Sequence, residues 1–163
     1  NIVSERKTLI STHVKDEIGS KKYYSPTVVF WALFVIISLI SVFEFRKKKR
    51  HYGIDTFLLF LIGFISLLIS FLWFGTEHRG ANYNLNIIWA LPTHFIAAIW
   101  ILINKKSVFL NKYLFATGIY MLIFLPFWNI IPQKIPYALI PLFLTVGLRF
   151  ILLYFIDRKI KAT

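Results

Sequence analysis

Between Trp73 and His94 the chain reads WFGTEHRGANYNLNIIWALPTH, an acid, two histidines and three asparagines set between two long apolar runs. Polar groups at the lip or inside of a hydrophobic layer cost free energy, so they either hold helices together or act on a substrate. Glu77 beside His78 offers an acid–base pair, because partial desolvation draws a carboxyl and an imidazole toward similar proton affinities. The same two residues equally suit a solvated interfacial loop tied to Arg79. His94 is a candidate general base or substrate contact, or a structural partner for the Ile88 carbonyl that Pro92 leaves unbonded. Asn82, Asn84 and Asn86 suit the turning of a loop and the capping of the next helix. Asn84 and Asn86, with Thr76 and Trp89, also suit the lining of a lipid or substrate cleft. The chain has no Cys, so it can form no disulfide, thiolate metal site or Cys nucleophile. His78 and His94, without a second close carboxylate, make a poor metal or haem site. No metal and no cofactor is expected. Ser66 and Ser70 are expected to serve packing rather than nucleophilic chemistry.

What must position these residues is a membrane bundle. Of 163 residues 58% are hydrophobic, and they fall in blocks as long as the ~20 residues that cross a bilayer. Five blocks qualify: Pro26–Phe45, Thr56–Phe74, Ile87–Ile103, Tyr113–Ile131 and Tyr137–Ile156. We therefore expect an all-α bundle of five transmembrane helices over 26–157, a polar tail at 1–25 and a basic tail at 158–163. The net charge of +12 would suggest nucleic acid in a soluble protein. Here it gathers in connections, at Arg46–Arg50, at Lys105, Lys106 and Lys112, and at Arg158, Lys159 and Lys161. That is the pattern of cytoplasmic flanks beside anionic lipid, so no nucleic-acid partner is expected. The two short loops on the other side hold only Arg79 and Lys134. The positive-inside rule places the N-terminus outside and the C-terminus in the cytoplasm. The opening on Asn1, with a polar first stretch, leads us to expect a piece of a longer protein.

On a helical wheel of the third span, Asn86, Ala90, Thr93, His94 and Ala97 share one sector of about 100°. Ile88, Trp89, Leu91, Phe95, Ile96, Ile99 and Trp100 occupy the opposite arc. This predicts a protein-facing stripe with His94 inward, about 12 Å below Asn86 in a continuous helix. On the second span Thr56, Gly63, Ser66, Ser70 and Glu77 share a face, where small residues let helices approach. Spans two and three are then antiparallel neighbours, with Glu77, His78, Asn84, Asn86 and His94 at the mouth of one cleft. Arg149 is the only Lys or Arg inside a block. It is expected either to contact an anion or headgroup or, preferably, to pair with Asp157.

The runs FLWFGTEH and NLNIIWALPTH resemble the C-terminal five-helix membrane domain of Lnb-like proteins of Bacteroidota. The resemblance implies an N-terminal periplasmic domain that carries the catalytic Cys and His, five spans, and lipoprotein N-acylation from a phospholipid. It implies a bacterial inner-membrane location, with membrane lipids, that periplasmic domain and lipoprotein substrates as partners. For Thr76, Glu77, His78, Asn84, Asn86, Trp89, Pro92 and His94 it implies a role in holding or presenting lipid beneath the periplasmic domain. Two other functions remain open: a non-catalytic anchor or partner-binding bundle, and a small transporter or redox subunit using Glu77, His94 and Arg149.

Overall fold

In hydrocarbon a chain has no water to satisfy its peptide groups, so apolar blocks of this length fold as helices. The computed structural model describes residues 25–76, 84–105 and 107–161. It is all-helical over them: α1 (Pro26–Lys47), α2 (Tyr52–Phe74), α3 (Thr93–Ile103), α4 (Val108–Phe124) and α5 (Ile140–Lys161). Short 3₁₀ turns at Leu85–Ile88, Leu125–Phe127 and Tyr137–Leu139 extend the third, fourth and fifth spans. Among the described residues five segments are long and apolar enough to cross a membrane. Their outer faces are apolar too: Phe57 is 61% and Ile103 81% exposed, an arrangement that only lipid tolerates on this scale.

Helix α5 is the most buried of the five. It packs on α1 and α4, while α2 packs on α3. Two glycines set these approaches. A β-carbon on Gly63 would lie 2.6 Å from Cα of Phe95, and one on Gly118 would lie 2.8 Å from the Gly147 carbonyl. The expected neighbours α2 and α3 are thus joined backbone to backbone at Gly63. At the end where α1 begins and α2 finishes, hereafter the lip, Phe143 is boxed by Trp89, Phe124 and Trp128. The ring centroids lie 5.0, 5.5 and 5.0 Å away.

The helices depart from the expected spans: the first runs to Lys47 and the last to Lys161, through the expected basic tail, and the other three differ for a physical reason. The second helix begins at Tyr52 rather than Thr56, because Asp55 is neutralised by two arginines. The fourth begins at Val108 rather than Tyr113. There the Ser107 hydroxyl accepts from the Leu110 amide, and Asn111 finds a buried partner in Arg50. That span ends early, since Pro126 tightens its last turn to 3₁₀ and the chain then turns at 128–130. The third span is broken, a 3₁₀ turn and an α-helix with Trp89–Pro92 between them. Its wheel therefore loses phase at the break. Trp89, expected toward lipid, is 5% exposed in the core, whereas Thr93, expected inward, is exposed. His94 and Ala97 do face inward.

Replacing Gly63 with Ala is expected to cost about 1–3 kcal/mol, because neither backbone can yield. Gly53→Ala, where a β-carbon meets nothing within 4 Å, should leave stability unchanged or slightly raised. Thermal unfolding of the purified protein in detergent distinguishes the two.

Candidate functional site

Polar residues gather at three levels. At the lip, Asn84 precedes the 3₁₀ turn and its side chain accepts from the Asn86 amide at 3.1 Å, capping it. The same Asn84 oxygen accepts from Asn86 Nδ2 at 2.8 Å and from Gln133 Nε2 at 3.3 Å. Gln133 Oε1 in turn accepts from the Leu85 amide at 2.6 Å. Asn86 Oδ1 accepts from the Trp89 indole at 2.9 Å. Asn84, Asn86 and Trp89 thus form one unit, tied by Gln133 to the loop after α4. The Thr76 hydroxyl donates to the Leu72 carbonyl at the end of α2. Glu77 and His78, with Arg79 and Asn82, lie outside the described residues.

Beneath Asn86 and Trp89 is an apolar cavity of about 350 Å³, walled by Phe30 and Leu33 of α1, by one face of α2 and by Leu142 of α5. Open space at the lip thus includes one volume between α1, α2 and α5. Between α2 and α3, where the cleft was expected, Gly63 closes the seam and space opens at the far end. A cavity of about 380 Å³ lies there among Tyr52, Thr56, Ile101 and Lys105.

At the middle level, His94 is fully buried. Its Nδ1 bonds the Tyr113 hydroxyl, which also shares a 2.9 Å hydrogen bond with Thr93 Oγ1. The Ile88 carbonyl expected for His94 is taken instead by the Tyr120 hydroxyl at 2.8 Å. Pro92 opens the backbone, but α4 rather than α3 supplies the partner. Tyr113 and Tyr120 were missed, although with Thr117 they stand at i, i+4 and i+7 on one face of α4, the spacing that marks a polar stripe.

The third level, at the opposite end of the bundle, is a charge network. Arg149 Nη1 donates to Glu44 Oε2 at 2.6 Å and to Ser41 Oγ at 2.9 Å, and its Nε donates to Asp55 Oδ1 at 2.8 Å. Arg50 Nε donates to Asp55 Oδ2 at 3.1 Å, and its Nη1 to Asp157 Oδ2 at 2.6 Å and Asn111 Oδ1 at 2.8 Å. The expected pair Arg149–Asp157 is not formed. The register of α5 against α1 and α2 sets Arg149 on Glu44 and Asp55, and Asp157 falls to Arg50. Nor is Arg50 merely a topology signal, since it is 7% exposed and bonds two carboxylates. His51, half exposed, completes the shell through Nδ1 and its amide on Glu44 Oε1, at 2.8 and 3.0 Å. Arg149 is therefore not brought together with Asn84, Asn86 and Trp89.

Among the described residues no group of three or more His, Cys, Asp or Glu is placed to hold a metal ion. A five-span bundle with polar residues stacked at three depths is a multi-pass membrane protein. A family model described as the Lnb transmembrane domain matches residues 18–161, and the chain belongs to that family. No curated protein and no solved structure matches it.

Replacing Arg149 with Met leaves Glu44 and Asp55 buried without their shared cation, and should cost about 3–5 kcal/mol. Ala at the exposed Lys47 should stay within about 0.5 kcal/mol. Denaturant or thermal unfolding in detergent reads both.

Proposed function

We propose that this chain is the membrane module of an Lnb-like protein that serves lipoprotein N-acylation in the bacterial inner membrane. In this role it anchors a periplasmic domain on its lip side and offers a lipid-accessible space beneath that domain. The supporting observation is the juxtaposition at the lip. A braced polar unit of Asn84, Asn86, Trp89 and Gln133 sits directly over an apolar cavity among α1, α2 and α5. A reacting phospholipid needs that division, with an apolar volume for its chains and a polar rim where the ester meets the domain above. Chain and domain then share the work. The module fixes the lipid's depth, and the nucleophile, which a chain without Cys does not supply as a thiol, belongs to the periplasmic part. Glu77, His78 and His94 are the candidates for chemistry within the module, with Thr76 at the base of the same loop. Membrane lipids and lipoproteins are the proposed partners.

A second function, a non-catalytic anchor or partner-binding bundle, is favoured by one specific feature. The lip amides bond one another, and Asn84 Oδ1 alone accepts three hydrogens. Saturated amides of this kind lock loops in place and leave less capacity for a substrate.

Substitution separates the two. Changing Glu77, His78 and His94 singly to Ala in the full-length protein should abolish lipoprotein N-acylation while leaving abundance intact. Mass spectrometry of lipoprotein N-terminal peptides and immunoblotting provide the readouts. Acylation that survives all three changes rejects a role for them in the reaction. A collapse of abundance assigns them to structure.

A further inference from the structure

We propose that the lip holds one phospholipid molecule. One acyl chain would lie in the cavity between α1, α2 and α5, and the phosphate would sit over the adjoining pocket that carries Lys134. The inference rests on a lipid-handling role for the module and names the ligand and its pose.

The cavity suits an acyl chain by its chemistry. Its α2 wall runs from Phe57 to Ile69, twelve helical rises and so about 18 Å, across the middle of the Tyr52–Phe74 helix. Every side chain of the lining is apolar except Asn86 at the top, and the Asn86 amide is held there by Asn84 and Trp89. Phe57, Leu61 and Ile65 on its edge are partly exposed on the lipid-facing surface, so the cavity opens sideways to the bilayer. A chain could enter without crossing a polar barrier.

The headgroup side is built by the loop after α4. A pocket of about 640 Å³ lies among Asn129, Gln133, Lys134 and Tyr137, and shares Pro136 with the apolar cavity. Gln133 joins the two spaces, since it lines the pocket and bonds Asn84 over the cavity. Lys134 is exposed and is the only Lys or Arg among the described residues of the lip. The two short loops of this face carry one cation each, Arg79 and Lys134, and Lys134 is the one that lines the pocket beside the cavity. Its charge complements a phosphate held above the acyl chain.

The test is native mass spectrometry of the full chain, extracted in mild detergent from nanodiscs of phosphatidylethanolamine and phosphatidylglycerol. One phospholipid per chain should remain bound. Leu61→Trp fills the cavity and should abolish retention. Lys134→Glu should lower retention about fivefold or more, the scale of one cation near a charged lipid surface. Ile103→Trp, on the lipid face of the opposite end, should change nothing. Ile65→Ala enlarges the cavity and should shift the retained lipids toward bulkier or longer chains, a readout that does not depend on the Trp variant folding. Unchanged retention in Leu61→Trp or Lys134→Glu overturns the proposal, as does an unchanged acyl profile in Ile65→Ala. Displacement by palmitate as effective as by phospholipid also overturns it, because the phosphate would then contribute nothing. Lipid lost in Leu61→Trp with N-acylation intact leaves the site standing and defeats the acylation role. Acylation lost in the Glu77 variant with retention unchanged in Leu61→Trp does the reverse.

Discussion

The bundle depends on charge that has been taken out of water and paired. Glu44, Asp55, Arg50, Arg149 and Asp157 link α1, α2, the turn between them and α5, and Asn111 brings in α4. In an apolar medium each of these groups is costly alone, and the Coulomb gain must be matched by good geometry. The two guanidiniums meet that demand by sharing Asp55, one on each carboxylate oxygen. Asp55 lies in the first turn of α2, where the positive end of the helix dipole also favours a negative charge. Glu44 lies in the last turns of α1, where the dipole disfavours it, and there Arg149, Ser41 and His51 surround it.

The network does what the apolar faces do not. Helices α1 and α5 are apolar around most of their circumference, so hydrophobic burial leaves their rotation and axial offset weakly defined. A charge has few acceptable positions in hydrocarbon. Placing Arg149 between Glu44 and Asp55 fixes the depth of α5 against two helices at once. The glycine approaches at Gly63 and Gly118 then become possible, because backbones can close only when their offsets are already right.

The number of membrane-length helices was legible from block length and hydropathy. The pairing was not. Arg149 meets Asp55 across 94 residues of sequence and Glu44 across 105, and no local spacing encodes such partners. Asp157, eight residues from Arg149 on the same helix, was the visible partner and the wrong one. Charges also misled the span limits. Asp55 and Lys112 looked like span ends because an unpaired charge belongs at an interface, yet both lie inside helices, Asp55 because it is paired. In the third span the wheel placed His94 and Ala97 correctly, where the helix is regular. It failed at Trp89 and Thr93, beside the break that Pro92 imposes. The asparagines were readable as caps, and Asn84 is one. Their tie to Gln133, across 49 residues, was not.

The two ends of the molecule are therefore built for opposite purposes. At the Arg50 end the charges are spent on one another, and the space beside them lies apart, between α2 and α3. The lip spends its polar groups on a thin brace across loops and keeps an apolar volume open below. A helix that simply crossed the membrane would close that volume with side chains. The third span instead unwinds over Trp89–Pro92 and turns Trp89 inward against Phe143. The indole then reaches Asn86, which forms the roof of the cavity. The broken helix costs backbone hydrogen bonds in a setting where they are valuable, and Tyr120 restores one of them at the Ile88 carbonyl. The break is thus supported from a neighbouring helix, and through it Asn86 and Trp89 come to line an apolar cavity instead of continuing a regular span.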